Sequence, residues 1–455
     1  MAKTMTTGSP WKLILSFSIP LLLGNLFQQF YNMADAAIVG QTLGSNALAS
    51  VGASSSVQFL ILGFCMGIAQ GFAIPIAQRF GAKDIETMQR YIFNGSILTA
   101  ILAILITALS ALLCPTILNI LQVNSELYND AYAYLIIIFL GIPFTLLYNY
   151  LSSILRAIGD SRTPFLFLAF SAILNIGLDF FCILVLHWGC AGAAIATIFS
   201  QGLSGILCLL YIAKKVPTLH VHKSERTMSS ANCLTLLGMG IPMGLQFSIT
   251  AIGSMVMQSS NNALGTTYVS GFTAGMRIKQ LMMCPFDAIG AGVSTFISQN
   301  YGAIRLDRIR QGYKSGLAIS ITYGIVACLV MITLGRTLSL FFVSAEESAV
   351  LDASALYLRR MGYFYPILGI LIVSRMSIQG LGYSTTAVFG GVVEMFARTF
   401  VSLVFVPMFG YDAITWADQT AWTSAILYLI PAYLYCMKLV TQKLEQEAIL
   451  NKMNG

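Results

Sequence analysis

The sequence predicts an all-α polytopic membrane protein, with twelve transmembrane helices in two six-helix bundles related by a pseudo-two-fold axis along the membrane normal. Three features of its 455 residues carry that prediction: an apolar composition, a lopsided placement of basic residues, and an internal repeat. Of the residues 57% are hydrophobic and 9% charged, and mean hydropathy is +0.78. A soluble domain is about half apolar and about one quarter charged, so the soluble class is excluded. A helix needs about 20 apolar residues to cross the hydrocarbon, so twelve consume roughly 240 and leave short loops without a sizeable soluble domain.

Apolar runs bounded by polar and Gly/Pro breaks place the spans near 13–39, 53–78, 91–113, 131–155, 164–187, 190–213, 234–262, 268–298, 314–335, 355–381, 386–408 and 414–437. Lys3 and Lys12 ahead of the first run imitate a signal peptide. The run continues to Val39 without a small-residue cleavage site, so it reads as a retained helix, entered through Ser9-Pro10. With both termini cytoplasmic, the inside segments hold eighteen of the 25 Lys and Arg, from Lys3 and Arg79 to Lys443 and Lys452. The outside loops hold only Arg336, beside Glu126, Asp130, Glu346, Glu347, Asp352 and Asp412. That skew follows the positive-inside rule and fixes an even number of spans. It also accounts for the net +7 without a nucleic-acid partner.

The repeat has a period of about 222 residues. Ile19-Pro20 returns as Ile241-Pro242, Leu43-Gly44 as Leu264-Gly265, Gln78 to Ala82 as Gln299 to Ala303, and Pro143 as Pro366. Gly159-x-Ser161-x-Thr163 returns as Gly382-x-Ser384-x-Thr386. Six spans per repeat is an even number, which makes the repeats parallel. The expected organisation is a first lobe at 1–213, a polar cytoplasmic linker at 214–232, a second lobe at 233–438 and a cytoplasmic tail at 439–455. Gly63, Gly67 and Gly71, and again Gly271 and Gly275, stand four apart, the spacing for close helix packing.

Enzyme motifs are missing. No GxxxxGK[ST], HExxH or GxSxG occurs, and the nine cysteines have no CxxC spacing. His220 and His222 sit in the polar linker with no nearby cysteine, a solvated loop more than a metal site. No enzyme activity, resident cofactor or metal is expected.

Acid inside the bilayer is the outstanding chemistry, because a carboxylate there costs several kcal/mol unless paired, protonated or hydrated. Asp35, Asp179, Asp287, Glu394 and Asp418 fall in predicted spans. Gln28 and Tyr31 precede Asp35 by seven and four residues, on its helical face, and Asn175 precedes Asp179 by four. Such carboxyls, with Asn and Thr oxygens, suit either a proton or a hard cation such as Na⁺. Glu394 and Arg398 have the spacing of a same-helix ion pair. Asp287 and Asp418 are candidates to line a cavity of the second bundle, and Arg277, Lys279, Arg359, Arg360 and Arg375 are basic residues in or near spans, some able to snorkel to an interface.

The run Arg156-Ala-Ile-Gly159-Asp160-Ser161-Arg162-Thr163-Pro164, then Leu174-Asn175 to Leu178-Asp179, then Gly192 to Thr197, resembles the multidrug and toxic compound extrusion (MATE) transporters, in particular the bacterial DinF-like branch. Gln299-Asn300-Tyr301-Gly302-Ala303 and Pro20 to Asp35 share the likeness, which spans about Ser18 to Leu434. The resemblance implies a V-shaped pair of lobes and cation-coupled efflux by alternating access. It also implies a coupling site at Asp35, Asn175, Asp179 and Thr197, with Gln28 and Tyr31 beside it, and a first helix that bends at Pro20. Two departures stand out. Spans seven and ten hold no acid, where the NorM-like branch has its cation site, and the family's Arg-Ile-Glu-Gln reads Arg277-Ile278-Lys279-Gln280.

The function expected is a monomeric antiporter of the bacterial inner membrane. It would export amphipathic, cationic organic compounds against H⁺ or Na⁺, with Arg277 also on the substrate pathway. The alternatives are a lipid-linked saccharide flippase of the same superfamily, which wants a basic cavity, and a permease subunit driven by a separate ATPase.

Overall fold

The computed structural model describes residues 4–120, 123 and 125–453, so Lys3, and the side chain of Lys452, lie outside the described residues. Those residues are helical nearly throughout, with no strand among them. In chain order the helices are α1 (Pro10–Leu43), α2 (Ser45–Gly81), α3 (Ile85–Ile120), α4 (Ser125–Leu140), α5 (Ile142–Ala157), α6 (Arg162–Phe180), α7 (Gly189–Lys215), α8 (Ser230–Asn262), α9 (Thr266–Gly302), α10 (Leu306–Ser339), α11 (Ser348–Gly362), α12 (Tyr365–Gly380), α13 (Ser384–Phe400), α14 (Val406–Phe409) and α15 (Tyr411–Met453). Among the described residues 10 helices are long and apolar enough to cross a membrane, and α4+α5 and α11+α12 bring the count to 12 when each pair is one span.

Those two pairs refine the predicted straight spans at 131–155 and 355–381. The chain bends by 44° between α4 and α5 and by 55° between α11 and α12. Proline stands in the first turn after each break, at Pro143 and Pro366. Its nitrogen cannot donate and its ring collides with the carbonyl four residues back, so the helix cannot run straight through. A π-helical turn likewise follows α6 at Phe181–Val185 and α13 at Val401–Phe405. The repeat in sequence is thus a repeat in backbone. Gly44 and Gly265 share φ near 92 and 101°, Lys83 and Ile304 share 59 and 54°, and Gly159 and Gly382 share 86 and 94°. By contrast α1 continues unbroken through Pro20.

Contacts divide the chain into two compact units. Unit 1 comprises Met1–Thr4 and Leu23–Gly244, and unit 2 comprises Met5–Leu22 and Leu245–Gly455. Both boundaries fall inside helices, α1 and α8. The first half of α1 is secured in unit 2 by Ile14, Phe17 and Leu21 in its core, and the segment before it by Arg308 donating to the Gly8 and Met5 carbonyls at 2.9 and 3.0 Å. The first half of α8 places Leu236 in the core of unit 1.

In unit 1 the GxxxG ridge of α2 lies against α8. A Cβ on Gly71 would come within 2.5 Å of the Gly240 Cα, and one on Gly67 would strike the Met243 carbonyl. No side chain fits there. Gly71→Leu is therefore expected to destabilise the protein by about 1–3 kcal/mol through overpacking, read as a lowered melting temperature in detergent. An unchanged melting temperature would count against this contact.

Candidate functional site

Three helices of unit 1 bring the predicted coupling residues together, and a fourth lies beside them. The second half of α1 carries Tyr31 and Asp35, α6 carries Asn175 and Asp179, and α7 carries Thr197. Each pair on α1 and α6 is one turn apart and so faces one way. The carboxyls of Asp35 and Asp179 lie close enough to act on one another directly. Asp179 and Asn175 are fully buried and Asp35 is 8% exposed.

The hydroxyls are ordered. Thr197 donates to the Ala193 carbonyl at 3.0 Å, so the 3.0 Å contact between Tyr31 and Thr197 has the tyrosine as donor. This bond ties α1 to α7, with the Tyr31 hydroxyl within electrostatic reach of both carboxyls. Gln28, one turn before, is half-buried. The fourth helix, α4, contributes Tyr134, buried and within electrostatic reach of both carboxyls and of Gln58 on α2. Tyr134 and Gln58 are missed by sequence reasoning. Tyrosine is frequent in this chain, and Tyr134 is distinguished only by its packing.

Among the described residues neither Asp35 nor Asp179 has an ion pair. Asp35 Oδ1, both carboxyl oxygens of Asp179 and both amide atoms of Asn175 lack hydrogen-bond partners. Buried polar atoms in that condition cost about 1–3 kcal/mol each. Two carboxylates facing each other also repel unless a proton or a cation lies between them. The donor set of two carboxyls, an amide and hydroxyls fits a proton or a monovalent hard cation. No cluster of three His, Cys, Asp or Glu that would hold a metal occurs among the described residues.

The acids of unit 2 behave differently. Asp418 on α15 accepts from Lys279 Nζ at 2.6 Å, from the Tyr357 hydroxyl at 2.8 Å and from Arg398 at 3.0 Å. Glu394 pairs with Arg398 at 3.9 Å, as its spacing predicts, but also with Arg375 of α12. Hence Lys279 and Arg375 do not snorkel; they are 8% and 7% exposed and locked in a network across α9, α12, α13 and α15. Asp418 is a fully paired anion, not a free acid lining a cavity. Asp287 and Arg277 are exposed on α9 and make no ion pair among the described residues, so they stand apart from this network. The sequence marks each basic residue but does not show which acid it meets across helices.

Comparison with known proteins agrees with this architecture. The MatE family model matches residues 20–181 and again 242–404, two copies displaced by the period of the internal repeat. Among relatives, Probable multidrug resistance protein YpnP of Bacillus subtilis (strain 168) is 31% identical over 84% of this chain and 85% of its own length. Multidrug export protein MepA of Staphylococcus haemolyticus (strain JCSC1435) is 23% identical over 90% of each. A crystal structure of MATE in complex with MaL6 superposes with a TM-score of 0.89 over 97% of this chain and 98% of that one, at 22% identity, a likeness that establishes the fold. With the family model covering both repeats and a relative above 30% identity, the chain belongs to the MatE family of multi-pass membrane transporters and is not an enzyme.

Proposed function

We propose that this protein is a secondary active antiporter of the bacterial cytoplasmic membrane. It exports amphipathic, cationic organic compounds in exchange for H⁺ or Na⁺ by alternating access, as a monomer with both termini cytoplasmic. In sequence its two lobes are 1–213 and 233–438, joined by the linker at 214–232. The observation that carries this reading is the buried pair Asp35 and Asp179, without a counter-charge and beside the partnerless amide of Asn175. Such a site changes its own charge when it gains or loses a cation, and a ligand shifts a conformational balance only by binding its two states differently. Asn175, Asp179, Asp35 and Thr197 hold the coupling ion, with Tyr31 and Gln28 lining the way to it. Pro20, whose nitrogen leaves a gap in the hydrogen-bond ladder of α1, is where that helix yields as the site fills. The exposed Arg277 and Asp287 on α9 face the substrate pathway. The relatives' printed names, multidrug resistance and multidrug export, support the substrate class.

The flippase alternative wants a strongly basic cavity; Arg375 is engaged by Glu394 and Arg360 by Asp412, so of the basic residues near the pathway Arg277 and Arg359 alone make no ion pair among the described residues. Efflux from proteoliposomes of a lipophilic cation such as ethidium tests the proposal, with pH and Na⁺ gradients imposed separately. Uphill export under one of the two gradients is expected. Transport indifferent to both would overturn the antiport reading.

A further inference from the structure

At one end of unit 2 a cavity of about 500 Å³ opens between α10 and α15, lined by Arg310, Tyr313 and Lys314 of the first helix and by Tyr433, Leu434 and Lys438 of the second, among others. Its charge has one sign. Arg310, Lys314 and Lys438 are three exposed cations, and no acid lines the cavity among the described residues. Asp307 and Glu445 are the nearest acids in sequence on the two helices, and neither makes an ion pair with any of the three. The position along the helices is as informative as the charge. The ninth predicted span opens at 314 and the twelfth closes at 437, so the cavity straddles the edge of the hydrocarbon. On α10 Arg310 lies one turn nearer the water than Lys314, and on α15 Lys438 and Gln442 follow Leu434 by one and two turns. Leu434 itself is 62% exposed, toward the membrane side of the cations. Two further lining side chains, Tyr313 and Tyr433, stack with ring centroids 3.9 Å apart, and the Tyr313 hydroxyl is fixed by Ser374 at 3.0 Å. Tyrosine suits such a boundary, with an apolar ring and a polar tip. The cavity is therefore cationic toward the water and apolar toward the lipid.

We infer that the cavity between α10 and α15 is a binding site for an anionic phospholipid, its phosphate among Arg310, Lys314 and Lys438 and an acyl chain over Leu434. Charge selects the occupant. An organic cation is repelled by three like charges, and a zwitterionic lipid brings a cation of its own beside its phosphate. A free phosphate gains nothing from the exposed leucine. Basic pockets between transmembrane helices suit the acidic headgroups of the cytoplasmic leaflet, the leaflet to which the positive-inside rule assigns this end of unit 2. A lipid so placed bridges α10 and α15, and a ligand that binds only the folded chain stabilises it. The site lies within unit 2, so the coupling chemistry at Asp35 and Asp179 is neither needed for it nor tested by it.

Purified full-length protein, delipidated in nonionic detergent, is titrated with dioleoyl phosphatidylglycerol, dioleoyl phosphatidylcholine and inorganic phosphate. Bound lipid is counted by native mass spectrometry, and melting temperature is read alongside. Saturable binding of phosphatidylglycerol, roughly fivefold or more tighter than phosphatidylcholine and with a raised melting temperature, is the expected result. Inorganic phosphate is expected to leave the melting temperature unchanged at the same concentrations. The double variant Lys314→Gln with Lys438→Gln is expected to weaken phosphatidylglycerol binding by roughly tenfold or more. Gln442→Glu keeps all three cations and nearly the same shape while adding a negative charge to the lining. It is expected to weaken binding roughly fivefold, which keeps the test open if the double variant fails to fold. Arg336→Gln, in the last turn of α10, removes a positive charge from the far end of that helix and is expected to leave binding unchanged. Equal affinity for the two lipids, saturation by inorganic phosphate, or phosphatidylglycerol binding unchanged in both cavity variants would overturn the inference.

Discussion

Asp179→Asn and Asp35→Asn are each expected to abolish gradient-driven export while leaving a folded protein in the membrane. Asparagine keeps the shape of aspartate and removes the repulsion between two facing carboxylates, so stability is expected to hold or rise. What is lost is the capacity to exchange charge with the solution. Exchange of one coupling cation for one monovalent substrate cation moves no net charge, so the drive is the ion gradient itself: a tenfold gradient is worth about 1.36 kcal/mol per exchange and supports about a tenfold substrate ratio. Vesicles carrying either variant are expected to fall from a ratio of that order to equilibration. The measurement is steady-state substrate ratio at matched protein content, with melting temperature as the control for folding. Retention of the full ratio by both variants would remove the site from the mechanism.

In unit 2 the largest expected effect is on stability, and it is asymmetric. Asp418 is held by Lys279, Arg398 and Tyr357, so Asp418→Asn strands Lys279 and leaves Arg398 only the 3.9 Å contact with Glu394. Removing one partner of a buried ion pair costs about 3–5 kcal/mol, because the other charge stays desolvated. Lys279→Met leaves Arg375 and Arg398 against Glu394 and Asp418, two charges of each sign, and Asp418 retains Arg398 and Tyr357, so its cost is expected to be less than half as large. Thermal unfolding in detergent, followed side by side, decides the order. A smaller loss for Asp418→Asn than for Lys279→Met would show that the network is not balanced as described.

The span count, the parity and the repeat are legible in the sequence, because lipid allows so few solutions. Backbone polar groups must be satisfied within a helix, and each charge must lie on a side of the membrane or have a reason to be inside it. For the same reason Asp35 and Asp179 are visible as candidates, and their i, i+4 companions Tyr31 and Asn175 follow from helical geometry. The rest depends on partners in three dimensions. Nothing local distinguishes Asp418, which is paired three times over, from Asp179, which is not paired at all; the difference is that α9 and α13 bring Lys279 and Arg398 to the first. Tyr134 and Gln58 are invisible for a related cause, since their importance comes from which helix packs beside which. The bends are intermediate. Pro143 and Pro366 announce a defect, but whether a proline breaks a helix or rides inside it, as Pro20 does, is settled by the surrounding contacts.

The two unit boundaries, at Leu22 and Gly244, lie 222 residues apart, at the same place in each repeat. Each repeat therefore lends the opening half of its first helix to the other's unit. Neither unit is a continuous stretch of chain, and this bears on biosynthesis. As the polypeptide leaves the ribosome, Met5–Leu22 emerges long before Leu245–Gly455, the rest of the unit it packs in. Unit 1 in turn stays short of a helix until Ser230–Gly244 is inserted. The usual order, in which an N-terminal domain folds to completion before its successor, does not apply here. The two halves must finish together, and a nascent chain arrested in the linker has two unfinished bundles and no finished one.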